Sequence, residues 1–140
     1  IKVYKKSFYL MDESYNSNPL SLKSALNNFD MIKVNKSKKH IILGDMLELG
    51  KHSKKLHIAI SKKINKTFLE NINVIGKHME ITYKNLKNSK KGLILKNRSQ
   101  IINLIKNNIN NNDYLMIKGS NSTGLNKITN DIKLGKINAL

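Results

Sequence analysis

Cysteine and tryptophan are absent from the 140 residues, and proline occurs once, at Pro19. Without cysteine the chain has neither disulfides nor thiolate metal sites, a pattern compatible with a reducing compartment. Long apolar runs are missing too, and none approaches the ~18 residues of a membrane span. The opening "IKVYKKSFYL" carries lysines but no long apolar centre and no small-residue cleavage site. No secretion signal is therefore expected, no membrane partner either, and the expected location is cytoplasmic. Acids are scarce, with 9 Asp and Glu against 26 Lys and Arg, for a net charge of +17. Such a charge suits a nucleic-acid binder, whose lysines neutralise phosphates. The basic residues are almost all lysine, however, with Arg98 the single arginine, and they spread along the whole chain. Aromatics make up 6% and do not interleave with basic runs as base-stacking platforms do, so nucleic acid is not the expected partner.

What is present suits one globular domain over residues 1–140, a size that buries roughly 68–70% of its unfolded surface. Short apolar runs alternate with longer stretches of helical period, which points to an α/β fold with a mostly parallel sheet flanked by helices. Residues 7–11, "SFYLM", read as a first strand, and Pro19 with Ser21 opens a helix bearing Leu22, Ala25, Leu26 and Phe29 on one face. Residues 39–43, "KHIIL", form a second strand, and Ser53 caps a helix running to about Thr67. "INVIG" and "GLIL" supply two more strands, with a short helix and a loop between them. Ser99 caps a further helix, "YLMIKG" is the last strand, and "LNKITNDIKL" the last helix. No catalytic residue is nominated, because neither a Ser-His-Asp arrangement nor a metal-ligand spacing occurs. His57, next to Leu56 on a helix, reads as a packing or capping residue rather than a base. His40, His52 and His78 have no partner spacing.

Three strands end in polar clusters, and four of the nine acids sit in two of them. Open parallel sheets bind ligands beyond the carboxyl ends of their strands, so these three loops are expected to share one edge. In "DESYNSNP", Asp12 and Glu13 can accept from paired hydroxyls, Asn16 and Asn18 can address a base, and Tyr15 offers a stacking face. The same residues serve equally as turn and helix-start chemistry ahead of Pro19. In "GDMLELG", Asp45 and Glu48 are too few for a hard cation, and the apolar residues around them suggest a loop folded back on the body. "KGSNSTG" has the glycine spacing of a phosphate-binding loop, but Leu125 and Asn126 stand where lysine and a hydroxyl residue are required. It is not a P-loop; Lys118, Ser120, Ser122 and Thr123 instead lead into a helix start, as either an anion site or an ordinary turn.

Together, "MDESYNSNPLSLKSAL", "LGDMLELGKHSKKLH" and "IKGSNSTGL" resemble the C-terminal domain of the Mur ligases, in order and spacing, over residues 7 to about 134. The wording is closest to the branch that adds D-alanyl-D-alanine to UDP-N-acetylmuramoyl-tripeptide during peptidoglycan precursor synthesis. The resemblance implies a Rossmann-like domain of a three-domain, ATP-dependent ligase working through an acyl phosphate. It also implies that the UDP-sugar domain and the central ATPase domain lie outside this chain, and that the chain alone is inactive. ATP and Mg2+ would be the cofactors, with the magnesium ligands in the central domain and a monomer as the working unit. By carry-over, Asp12, Glu13, Tyr15, Asn16 and Asn18 would meet the nucleotide. Lys118, Ser120, Asn121, Ser122, Asp45 and Glu48 would line the dipeptide and phosphate cleft. Asn121 replaces the arginine of the family's "KGSRS" pattern and removes a fixed cation. Glu13 replaces an aspartate common in relatives, which lengthens its reach by one methylene. Other amino-acid-adding Mur ligases, folylpolyglutamate synthases and a basic nucleic-acid module remain the alternatives.

Overall fold

The strands that hold the molecule together are those whose sequences are apolar on both faces. In β4 (Lys39–Gly44) the run Ile41, Ile42 and Leu43 is wholly buried, and in β7 (Tyr114–Lys118) so are Leu115, Met116 and Ile117. Residues alternate across a strand, so such runs need helices on both sides. The computed structural model describes residues 1–3 and 5–139 and supplies those layers. Its five-stranded parallel sheet also contains β3 (Tyr9–Glu13), β5 (Ile72–Ile75) and β6 (Lys91–Leu95), in the order β3-β7-β4-β5-β6. Helices α1 (Pro19–Met31), α2 (Ser53–Asn65) and α3 (Met79–Lys84) cover one face, packing Leu26, Phe29, Ile60, Ile64 and Met79 on Ile41, Leu43 and Met116. Helices α4 (Arg98–Asn108) and α5 (Leu125–Lys133) cover the other, where Ile101, Ile105, Leu125 and Ile132 meet Ile42, Leu115 and Ile117. Each fully buried Leu or Ile contributes about 1.5–3 kcal/mol.

The expected α/β architecture is the one observed, with shifts at element ends that have local causes. The first sheet strand starts at Tyr9 rather than Ser7, because the preceding residues form a small hairpin of β1 (Lys2–Val3) and β2 (Lys6–Ser7). That hairpin tucks Val3 and Phe8 into the core beneath α4. Helix α1 is capped by Asn18: its Oδ1 accepts from the Ser21 N–H at 2.9 Å, and Ser21 Oγ accepts from the Asn18 N–H at 3.1 Å. Helix α4 is capped by Asn97 and not by Ser99, because the extended backbone is at Asn97 and its side chain accepts from the Gln100 N–H. Helix α2 has no side-chain cap, and Ser53 is its first residue, following a short turn of 3₁₀ helix.

Helix carboxyl ends gather at the edge opposite the polar loops, and lysines meet them there. Lys39 Nζ donates to the Asp30 carbonyl at 2.9 Å, closing α1. Lys90 Nζ donates to the Thr67 and Leu69 carbonyls at 2.7 and 2.9 Å, just past α2. Lys6 Nζ donates to the carbonyls of Lys106 and Ile109 at 2.6 and 2.9 Å, closing α4. A cation at a helix carboxyl end satisfies orphan carbonyls and opposes the helix dipole. Part of the large positive charge is therefore structural.

Candidate functional site

Strands β3, β7 and β4 lie side by side, so the loops after them open on the same edge. The helices after β3 and β4 pack on one face of the sheet, whereas the helix after β7 packs on the other. Chain paths thus diverge on both sides of β7, which is where open parallel sheets form ligand crevices. The structure has an open cleft of about 560 Å³ at this point, lined by residues 15–18, 47–49 and 120–122. All three polar clusters contribute to it.

One hydroxyl ties the three loops together. Ser120 Oγ accepts from the Leu47 N–H at 3.3 Å and faces the carbonyls of Asp45 at 3.2 Å and Ser17 at 3.4 Å. With one proton to donate, it serves one of those carbonyls at a time. Gly119, just before it, allows the strand end to touch α5, because a Cβ there would lie 2.6 Å from Leu125 Cδ1. Lys118 is the deeper link. Only 2% exposed, its ammonium donates to the Asn16 carbonyl and lies 3.9 Å from Glu13 Oε2. Burial lowers its pKa, and the Glu13 carboxylate opposes that shift.

The predicted residues divide into those on the cleft wall and those behind it. Tyr15, Asn16, Asn18, Glu48, Ser120, Asn121 and Ser122 line the cleft. Tyr15 is 53% exposed, with its hydroxyl donating to Asn130 Oδ1 at 3.2 Å. Asn121 Oδ1 accepts from Asn126 Nδ2 at 2.6 Å. Glu48 is exposed and carries the only carboxylate in the lining, on a backbone with φ of 61°. The left-handed region is costly for a side-chain-bearing residue, and such strain concentrates at functional sites.

Asp12, Glu13, Asp45 and Lys118 are not in the lining, and for the two aspartates the reason is plain. Asp12 Oδ1 accepts from the Ser14 N–H at 3.1 Å and Ser14 Oγ at 2.6 Å, while Oδ2 pairs with the Lys133 ammonium. Burial would raise the Asp12 pKa, but the Lys133 and Ser14 hydrogen bonds outweigh it, and the carboxyl sits below its ordinary value. Asp45 is buried with Oδ1 accepting from the Met79 N–H at 2.7 Å, at the start of α3. Its main-chain carbonyl faces Ser120 Oγ, and the expectation that Asp45 lines the cleft is corrected. Glu13, in contrast, has a side chain 44% exposed.

Sequence reasoning did not assign Ser17, Leu47 and Leu49 to the lining. Among the described residues, Ser17 Oγ is the one buried side-chain polar atom without a hydrogen-bond partner. Apolar residues in the "GDMLELG" loop were the available signal, since they imply a loop pressed onto the body. His57 has the expected packing role: it is fully buried and bonded through both ring nitrogens. His40, to which the sequence assigns no role, meets Asp113 Oδ2 at 3.2 Å, at the far edge of the sheet.

Known proteins resemble the chain in sequence and in fold. The chain is 30% identical over 114 residues to the UDP-N-acetylmuramoyl-tripeptide–D-alanyl-D-alanine ligase of Rickettsia prowazekii (strain Madrid E), covering 81% of this chain and 25% of that protein. It is 31% identical over 126 residues to the protein of the same name from Buchnera aphidicola subsp. Acyrthosiphon pisum, covering 88% and 26%. It thus spans about a quarter of the length of these curated relatives. In fold it is similar to the MurF ligase of Thermotoga maritima in complex with ADP, with a TM-score of 0.72, 19% identity, and coverage of 93% of this chain and 29% of that one. Against MurF from Acinetobacter baumannii the TM-score is 0.73, with 21% identity and coverage of 94% and 29%. The family model described as "Mur ligase, glutamate ligase domain" matches residues 3–121, and the chain therefore belongs to the Mur ligase family through that domain.

Proposed function

We propose that this chain is the C-terminal domain of an ATP-dependent ligase that joins D-alanyl-D-alanine to UDP-N-acetylmuramoyl-tripeptide. The observation that carries the reading is the meeting of three motif loops at one cleft, in a chain whose curated relatives bear that name. ATP would phosphorylate the tripeptide carboxylate on the central domain, and the dipeptide amine would attack the acyl phosphate and release inorganic phosphate. This chain's part is to bind and orient. Tyr15 offers a ring face and Asn16 an exposed amide to the adenine. The ribose falls to Glu13, because the Asp12 carboxylate is already engaged by Ser14 and Lys133. Glu48 faces the incoming ammonium, and Asn121 and Ser122 face the rest of the dipeptide as neutral groups. Magnesium finds no fit: among the described residues no group of three His, Asp or Glu side chains could hold a metal ion. No step in this domain is routed through it.

The test is phosphate release by the full-length enzyme supplied with ATP and tripeptide. Release should require D-alanyl-D-alanine, and the 140-residue chain alone should form no peptide bond. A Glu48→Gln enzyme should show a KM for the dipeptide raised by about tenfold, the effect of about 1.4 kcal/mol lost from one charge pair. A folded enzyme that releases phosphate with glutamate or diaminopimelate, and not with the dipeptide, would overturn the assignment.

A further inference from the structure

The cleft loop after β4 is held from behind by an imidazole. His57 lies on α2, fully buried, with Nδ1 at 2.8 Å from the Ser53 carbonyl and Nε2 at 3.3 Å from the Met46 main-chain nitrogen. A carbonyl only accepts, so Nδ1 carries the proton; a main-chain N–H only donates, so Nε2 is bare. Only the neutral Nδ1–H tautomer satisfies both. Its surroundings limit its freedom further: the His57 carbonyl accepts from Thr82 Oγ1 at 2.7 Å, and the ring lies 5.5 Å from that of His78. The next main-chain N–H, that of Leu47, is taken by Ser120 Oγ. Two successive amides, one on His57 and one on Ser120, thus fix the segment that leads into the left-handed Glu48.

We propose that His57 is a positioning residue for the cleft, which as a neutral Nδ1–H imidazole fixes the Asp45–Met46 peptide and so sets the place of Glu48. Protonating the ring turns Nε2 toward the Met46 N–H as a second donor, and the loop loses its anchor. Two titratable groups face the ring. Asp45, from the same loop, favours the cation, and His78, ahead of α3, disfavours it. Burial is the larger influence and lowers the pKa, so the ring is neutral at neutral pH. The functional consequence rests on the cleft being the ligand site, but the anchor itself does not.

Nitrogen NMR of the 140-residue chain tests this directly. At pH 7 the His57 ring should show a protonated Nδ1 and a bare Nε2; a proton on Nε2 overturns the proposal. On acidification, the Met46 and Leu47 amide resonances should move with the same midpoint as the His57 ring. Amides that ignore the ring's titration overturn it. In His57→Phe, which keeps the packing and removes the acceptor, hydrogen exchange at Met46 should speed up roughly 10- to 100-fold. His57→Gln, whose side-chain oxygen can stand in for Nε2, should recover most of the protection. Should the Phe variant fail to fold, the tautomer and the shared midpoint still decide. Adding D-alanyl-D-alanine and following the Glu48 amide is a separate reading, whose failure strikes the proposed function and leaves the anchor standing.

Discussion

Replacing Asp45 distinguishes a structural aspartate from a ligand-binding one. The carboxylate is buried and accepts from the Met79 N–H at 2.7 Å, where α3 begins, and the loop between β5 and α3 wraps closely around it. A Cβ at Gly76 would stand 2.4 Å from Asp45 Oδ1, so the loop has been shaped to the carboxylate. A hydrogen bond with a charged partner is worth about 1.5–3 kcal/mol, and truncation also leaves a buried N–H without an acceptor. Asp45→Ala should therefore lower stability by roughly 2–3 kcal/mol, read as a shift in urea midpoint at constant m. Asp45→Asn keeps an acceptor and loses the charge, so its cost should be about half as large. In the full-length enzyme of the proposed function, the Asn variant should bind dipeptide as the parent does, because no carboxylate oxygen has left the cleft wall. An Ala variant within about 0.5 kcal/mol of the parent, or an Asn variant as stable as the parent but unable to bind, would refute the reasoning.

Glu48 makes the complementary case. Glu48→Gly relieves a left-handed side-chain-bearing residue, a cost of about 1–2 kcal/mol that glycine's greater unfolded freedom partly offsets. Thermal melting should show a domain as stable as the parent or more so, while under the proposed function the full-length variant loses dipeptide affinity. Acid should weaken the fold through histidine. Burial lowers the pKa of both His40 and His57 below the ordinary 6.5, with Asp113 beside His40 pulling less strongly the other way. The unfolded chain therefore takes up these protons first, and stability is full above pH 6.5 and lost as pH falls below it. Urea midpoints compared on either side of that value should be lower on the acid side, and a midpoint that rises would refute the sign.

The sheet was legible in the sequence because its central strands are buried on both faces and can be little else. Runs such as "HIIL" and "YLMI" need two covering layers, and the intervening helical periods supply them. Helix starts were less legible, for a physical reason. Near α4, Asn97 and Ser99 are both good caps by residue type, and only the extended backbone at Asn97 decides between them. The pairing of β1 with β2 left no periodic signal, because strands of two residues have no period. The common edge of the three loops followed from parallel topology alone. Which way each side chain turns did not, because the deciding partners are remote in sequence: Lys133 for Asp12, Met79 for Asp45 and Asn16 for Lys118.

The scarce acids then fall into a division of labour between residue types. Each of the two acidic clusters holds one aspartate and one glutamate, and in each the aspartate is turned inward and the glutamate outward. Asp12 and Glu13 are successive residues of β3, so the pleat sends them to opposite faces. The shorter side chain is close enough to its own backbone to bond the Ser14 N–H, which is the usual behaviour of aspartate in a turn. Asp45 does the same service for the start of α3, and Glu48, three residues later, is carried outward by a left-handed backbone. The separation has a consequence for mutagenesis. If the aspartates belong to the fold and the glutamates to the ligand, aspartate-to-asparagine changes move the denaturation midpoint and glutamate-to-glutamine changes move the KM. A glutamate variant that lowers the denaturation midpoint while leaving the KM unchanged would break the division at its simplest point.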